Sequence, residues 1–202
     1  MTGARQVVDV SGLPAVVFGP RDLMWWGTAG FMAIEGTTLF ICAASYLYLR
    51  LNFHTWPPEH VVRPSLLWPT VQAAAMAASN VPNWLAHRAG RRLDLAGVRR
   101  WMVVCALFGL AFVALRWQEF LALNVRWDSN AYGSVAWATL GFHGTILLLQ
   151  AVETVIFTGF LFSDRVEAKH FSDVVDSAFY WYFMTGAWLP LYVLVFLSPR
   201  FH

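Results

Sequence analysis

The chain has 202 residues, of which 58% are hydrophobic and only 13% charged, and 14 Lys+Arg against 12 Asp+Glu leave a formal charge of +2. That balance excludes a disordered chain, a coiled coil and collagen, each of which needs high charge or a short repeat, and it leaves no basic excess for nucleic-acid binding. Sixteen Phe and eleven Trp beside so few charges point to a helical membrane protein.

A span needs about 20 mainly apolar residues to cross ~30 Å of hydrocarbon at about 1.5 Å per residue. Five stretches meet that need, over 23–49, 65–86, 101–123, 133–163 and 177–198. The expected fold is therefore all-α: a polytopic bundle of five transmembrane helices over 23–199, behind an N-terminal tail over 1–22. The first stretch carries one charge, Glu35. The second is uncharged, with Pro69 and Pro82 inside it as expected kinks. In the third, the uncharged run from Trp101 to Leu115 is too short to span upright. That helix is expected to continue past Arg116 toward Leu123, with Arg116 and Glu119 reaching the headgroups. The fourth holds only His143 and Glu153 as ionisable groups, and its length implies tilt. The fifth is uncharged and carries Pro190 late. Ahead of the first stretch, the apolar patch from Pro14 to Phe18 is far shorter than a secretory h-region, so the first helix is expected to be its own insertion signal.

With five helices, the tail, an Arg88 to Arg100 loop and an Asp164 to Asp176 loop share one side. They carry Arg5, Arg21, Arg88, Arg91, Arg92, Arg99, Arg100, Arg165 and Lys169, against Arg50, Arg63, Arg116, Arg126 and Arg200 on the other. This asymmetry places the N-terminus in the cytoplasm and the C-terminus outside. Trp25, Trp26, Trp56, Trp68, Trp84, Trp101, Trp117 and Trp127 fall at the predicted interfaces and read as aromatic belts. Ala73, Ala74, Ala77, Ala78, Gly141 and Gly144 read as small-residue surfaces for close helix contact. Cys42 and Cys105 lie within apolar stretches and form no metal or redox motif.

An ionisable side chain inside a bilayer costs on the order of 2.5–3.5 kcal/mol on insertion scales, so each one needs a reason. Glu35 lies near mid-membrane, where it acts as a proton-exchanging carboxyl or hydrogen-bonds two helices together. His143, Gln150 and Glu153 are spaced i, i+7 and i+10, which places them on one face of the fourth helix, turned toward protein. Glu153 is expected at a depth close to that of Glu35, so either the two carboxyls share hydrogen bonds or each holds its own partner. Of six histidines only His143 is well inside a span, and HxxxH, HExxH and CxxCH are absent, so no haem or metal is expected on this chain. A stand-alone proton or solute transporter using Glu35 and Glu153 is a further reading, weakened because five helices do not divide into equal repeats.

Four segments resemble subunit III of the haem-copper cytochrome c oxidases. AYGSVAWATLGFHG (Ala131 to Gly144) is similar to its "YGSxF…TGFHGxH" segment, and Glu35 with the following TLFICAASYLYLR and WPP (Trp56 to Pro58) to its carboxylate-bearing helix. RWQEF (Arg116 to Phe120) resembles "QxxEY", and YWYFMTGAWLPLY (Tyr180 to Tyr192) resembles "YWHFVDxVWLxLY". The likeness covers nearly all of the chain after about residue 23, in the same order, and fits a short form lacking the family's first two helices. Glu35 and His143 carry over directly. Ile146, Tyr182 and Thr185 stand where the family has histidine, histidine and aspartate, while Gln150 and Glu153 replace apolar or small residues. The resemblance implies a non-redox subunit of a proton-pumping terminal oxidase in the bacterial plasma (inner) membrane, stabilising the catalytic core and supporting proton uptake. Haem and copper would lie in partner subunits, the partners being catalytic subunit I, subunit II and membrane lipid, with phospholipid the one ligand in view for this chain. Five-helix relatives of quinol oxidases and of nitric-oxide reductases are the alternative within the same family.

Overall fold

The computed structural model describes residues 12, 14 and 16–201. Most of the expected 1–22 tail, Arg5 in it, and His202 lie outside the described residues. Five helices follow in chain order: α1 (Leu23–Asn52), α2 (Leu67–Arg91), α3 (Leu95–Ala122), α4 (Ala131–Leu161) and α5 (His170–Tyr192). A π-helical turn over Val193–Leu197 and a 3-10 turn over Ser198–Arg200 prolong α5. Among the described residues there is no strand. Three starts have side-chain caps that satisfy otherwise orphaned N–H groups: Asp22 accepts from the Met24 N–H (3.0 Å), Asp94 from Gly97 (3.0 Å) and Asn130 from Gly133 (2.8 Å).

Two expected loops are largely helix. The arginine-rich segment is the end of α2 and the start of α3, joined across Arg92–Asp94, where Leu93 takes a φ of 55°. Arg88 and Arg91 occupy the last turn of α2, where exposed carbonyls favour cations, and Asp94 caps α3. Likewise α5 begins at His170 and includes both Asp173 and Asp176, with Asp173 in a first turn whose free N–H groups favour an acid.

Because lipid is as apolar as leucine, such helices are held by close packing and hydrogen bonds rather than by water exclusion. α2 packs on α3 and α5, α3 on α4, and both α4 and α5 on α1. Trp181, Met184 and Trp188 of α5, with Val195 and Phe196 of the turn that prolongs it, are fully buried. α3 and α4 approach closely at Gly109, where an added Cβ would lie 3.3 Å from the Cα of Ala151. The small-residue expectation is met at Gly144, beside the Arg116 side chain, but Gly141 faces open space and Ala74, Ala77 and Ala78 are exposed.

α1, α3, α4 and α5 with its extension to Arg200 are long and apolar enough to cross a membrane; α2 is not among these four. Its polar residues explain why, and they turn inward. Trp181 Nε1 donates to Ser79 Oγ (3.0 Å), Asn83 Nδ2 to the Ala178 carbonyl (3.0 Å), and Thr185 Oγ1 to Asn80 Oδ1 (3.2 Å). Each such interhelical bond contributes about 0.6 kcal/mol. α2 stays helical across Pro82.

Of the tryptophans read as belts, Trp26, Trp68, Trp84, Trp117 and Trp127 are exposed, and Trp25 and Trp101 half-buried. Trp56 corrects that reading: it is 5% exposed. The loop after α1 folds back so that the indole donates to Tyr46 Oη (3.0 Å) and meets the Tyr46 and Tyr132 rings edge-on. An amphipathic indole is satisfied by such a pocket as well as by headgroups.

Candidate functional site

Glu35 is half-buried on α1, at the contact with α5. Tyr180 Oη donates to its Oε2 at 2.5 Å. One turn earlier, Phe31 stacks on the same tyrosine with ring centroids 6.0 Å apart. One residue later, Gly36 leaves room for Phe183, whose Cε2 lies 3.6 Å from where a Cβ would stand. The acid is thus covered by α5 and has one strong hydrogen-bond donor.

Glu153 has a different set of partners. Gln150 Nε2 donates to Glu153 Oε2 (2.8 Å) and to Thr154 Oγ1 (3.0 Å), and Ser177 Oγ reaches the same carboxylate oxygen at 3.5 Å. Of the two readings open for these acids, the structure gives each carboxyl its own partners, Tyr180 for Glu35 and Gln150 with Ser177 for Glu153. The one-face reading of α4 holds for His143 and Gln150, which are buried, while Glu153 is exposed. At 3.6 residues per turn, positions 143 and 150 differ by only ~20° about the axis and 153 lies ~60° further round, enough to swing it out of the protein-facing stripe.

The largest departure concerns Arg116 and Glu119, expected at the headgroups. They are 4% and 0% exposed. Arg116 Nη1 lies 2.8 Å from Glu119 Oε2, one turn along α3. Its Nη2 donates to His143 Nδ1 (2.7 Å), and its guanidinium stands 4.2 Å from the Trp188 ring centroid. An arginine can only donate, so His143 Nδ1 is the acceptor. The imidazole hydrogen is then on Nε2, which donates to the Met184 carbonyl at 3.0 Å. Gly144 makes this possible, since an added Cβ would lie 3.3 Å from Arg116 Cγ. Side chains of α3, α4 and α5 thus close on one buried charge pair. Chemically the cluster orients and neutralises its members, and every nitrogen of His143 is engaged within the chain.

A sequence signal for this cluster existed. The glutamate of the "QxxEY" pattern stands at Glu119, and opposite charges at i and i+3 within one span favour mutual pairing over separate routes to the headgroups. Tyr180 had no such signal, because a tyrosine among apolar residues reads as packing. Among the described residues, no three His, Cys, Asp or Glu side chains are grouped as metal ligands, and Cys42 and Cys105 are free and buried.

These residues all lie within the segment that matches a known family. The sequence model described as "Cytochrome c oxidase subunit III" matches residues 31–199. "Cytochrome c oxidase subunit 3" of Synechocystis is 27% identical over 181 residues, covering 89% of this chain and 77% of that protein. The protein of the same name from Thermostichus vulcanus is 25% identical over 184 residues, covering 89% and 90%. A "Probable cytochrome c oxidase subunit 3" of Nocardia farcinica is 30% identical over 162 residues, covering 76% and 77%. The chain belongs to the cytochrome c oxidase subunit III family.

Proposed function

We propose that the chain is the non-redox subunit III of a proton-pumping haem-copper terminal oxidase in a bacterial plasma membrane. It packs on catalytic subunit I, beside subunit II, stabilises that core during turnover and supports proton uptake. Haem and copper belong to those partner subunits, and this chain holds lipid alone. The observation that carries the reading is Glu35: a single carboxyl inside α1, held by one phenol at 2.5 Å. An acid with one partner can exchange a proton; one locked in a full ion-pair network cannot do so cheaply.

In this reading all five helices cross the membrane. α2 crosses because its polar side chains face α3 and α5 rather than lipid, as the buried Gln72, Ser79 and Asn83 support. The N-terminus is cytoplasmic, supported by Arg21, Arg88, Arg91, Arg92, Arg99, Arg100, Arg165 and Lys169 at one end of the bundle, against Arg50, Arg63, Arg126 and Arg200 at the other. The buried His143 and Gln150 bind α4 to its neighbours, and Glu153, which is exposed, lines the proton-accessible side.

The test compares Glu35→Gln with wild type in the oxidase complex. The substitution keeps the tyrosine bond and removes ionisation, so assembly persists while proton uptake, pumping or lifetime during turnover falls. Glu35→Ala is worse, because Tyr180 loses its acceptor. Wild-type turnover, pumping and inactivation together in Glu35→Gln would refute the proton role.

A further inference from the structure

Proline has no N–H to donate, and α5 carries one well inside its span. Pro190 stands four residues after Gly186, so the Gly186 carbonyl lacks the donor that an ordinary helix turn supplies. Gly186 and Pro190 are both exposed, and a Cβ built on Gly186 would meet nothing within 4 Å. The backbone there is open to whatever surrounds the bundle. Gly27, Gly30, Gly141 and Gly159 have equally open surroundings, but none of them lies four residues before a proline. Pro82, the other proline deep in a helix, is buried within the bundle.

Depth makes this carbonyl costly. In the span from His170 to Arg200, Gly186 lies roughly 24 Å from one end and 21 Å from the other at about 1.5 Å per residue, which is mid-membrane in the placement proposed above. Water is absent at that level, and every backbone polar group needs a partner. Nearby polar side chains are already committed. Thr185 Oγ1 is engaged with the Trp181 carbonyl (3.0 Å) and Asn80 Oδ1 (3.2 Å). Asn80 Nδ2 and Ser79 Oγ both donate to the Met76 carbonyl, at 3.0 and 2.7 Å, and Asn83 Nδ2 to that of Ala178 at 3.0 Å. The π-helical turn begins only at Val193. Acyl tails carry no donor, and headgroups are about 20 Å away, so lipid does not supply the bond. The donor belongs to another polypeptide.

The surroundings fit a helix. Phe183 meets α1 at Gly36, and Thr185 meets α2 at Asn80. About the α5 axis Gly186 lies ~60° from Phe183 and ~100° from Thr185, between these two contacts. Leu189, Pro190 and Val193 continue the same exposed strip. It forms a furrow with α5 as floor and α1 and α2 as sides, where the glycine lets a second helix approach the backbone.

We infer that the Gly186–Pro190 strip of α5 seats a transmembrane helix of the catalytic subunit, one of whose hydroxyl or N–H groups donates to the Gly186 carbonyl. The inference rests on the oxidase role proposed above and adds to it the face of contact.

The test purifies the tagged full chain with its complex in mild detergent and quantifies the catalytic subunit recovered per chain. Gly186→Leu fills the furrow and lowers that recovery about tenfold or more. Gly141→Leu, in equally open surroundings on α4, leaves it at the wild-type level. Both variants unfold like wild type when the chain is purified alone. A benzophenone amino acid at Leu189 crosslinks to a transmembrane peptide of the catalytic subunit that contains a Ser, Thr, Asn, Gln or Trp; at Leu148, exposed on α4, it does not. Because the Leu189 probe leaves Gly186 intact, it reads the contact even where Gly186→Leu folds poorly. Unchanged recovery with Gly186→Leu, an equal loss with Gly141→Leu, or Leu189 crosslinks to lipid and detergent alone would each overturn the proposal. A wild-type chain recovered without any catalytic subunit defeats the assigned role itself, whereas normal wild-type recovery with an indifferent Gly186→Leu defeats only the face.

Discussion

Arg116→Met tests the buried charge pair most sharply. Its charged atoms are 2.8 Å apart and both residues are almost wholly buried. At an effective dielectric of about 20, unit charges at that separation attract by roughly 6 kcal/mol, a gross figure that desolvation largely offsets. Removing one partner leaves the other charge buried alone, which costs about 3–5 kcal/mol. Arg116→Met also strips His143 Nδ1 of its donor. Adding Glu119→Gln to it removes the stranded charge, so the double variant regains about 2 kcal/mol although it has lost more polar groups. The assay is reversible unfolding of the full chain in maltoside micelles titrated with sodium dodecyl sulfate, followed by circular dichroism and tryptophan fluorescence. A double variant no more stable than Arg116→Met, or an Arg116→Met variant within about 0.5 kcal/mol of wild type, would refute the buried ion pair.

Three further outcomes follow from individual contacts. Tyr180→Phe leaves the Glu35 carboxyl without its donor and lowers stability by about 1–3 kcal/mol in the same unfolding assay; no change would remove that bond from the account. Gly109→Leu forces α3 away from the Ala151 backbone at a cost of about 1–3 kcal/mol, whereas Gly141→Leu, which points into open space, stays within about 0.5 kcal/mol. Nitrogen NMR of the labelled chain shows His143 with a bare Nδ1 and a protonated Nε2, and the reverse tautomer would contradict the Arg116 contact.

Gaps between charges revealed the five helices and their order, because a helix interior in lipid tolerates few ionisable groups. The same rule cut helices short at their ends. Arg88, Arg91, Asp173 and Asp176 are helical, since helix termini welcome charge of the right sign and a gap-based reading stops at the first charge. Glu35 and His143 stood out as lone ionisable groups in apolar runs. Arg116 and Glu119 did not, because opposite charges near the end of a short run are compatible with both snorkelling and pairing, and the choice depends on what α4 and α5 present. Gly144, His143 and Trp188 supply that answer only once the helices are packed. The Glu35 partner was equally hidden, 145 residues along the chain on α5. Glu153 turned outward because a spacing of i+10 only approximates a single face.

In the proposed role the chain is a cofactor-free subunit of a haem-copper oxidase. Affinity purification of the tagged chain from its native membrane in mild detergent, with the copurifying chains identified and haem and copper assigned to individual subunits, tests it directly. The expected result is a catalytic subunit carrying the haems and the copper, with neither metal on this polypeptide. Recovery of the chain with a copper-free core would place it with a nitric-oxide reductase instead, and iron or copper bound by its own side chains would contradict the proposed role.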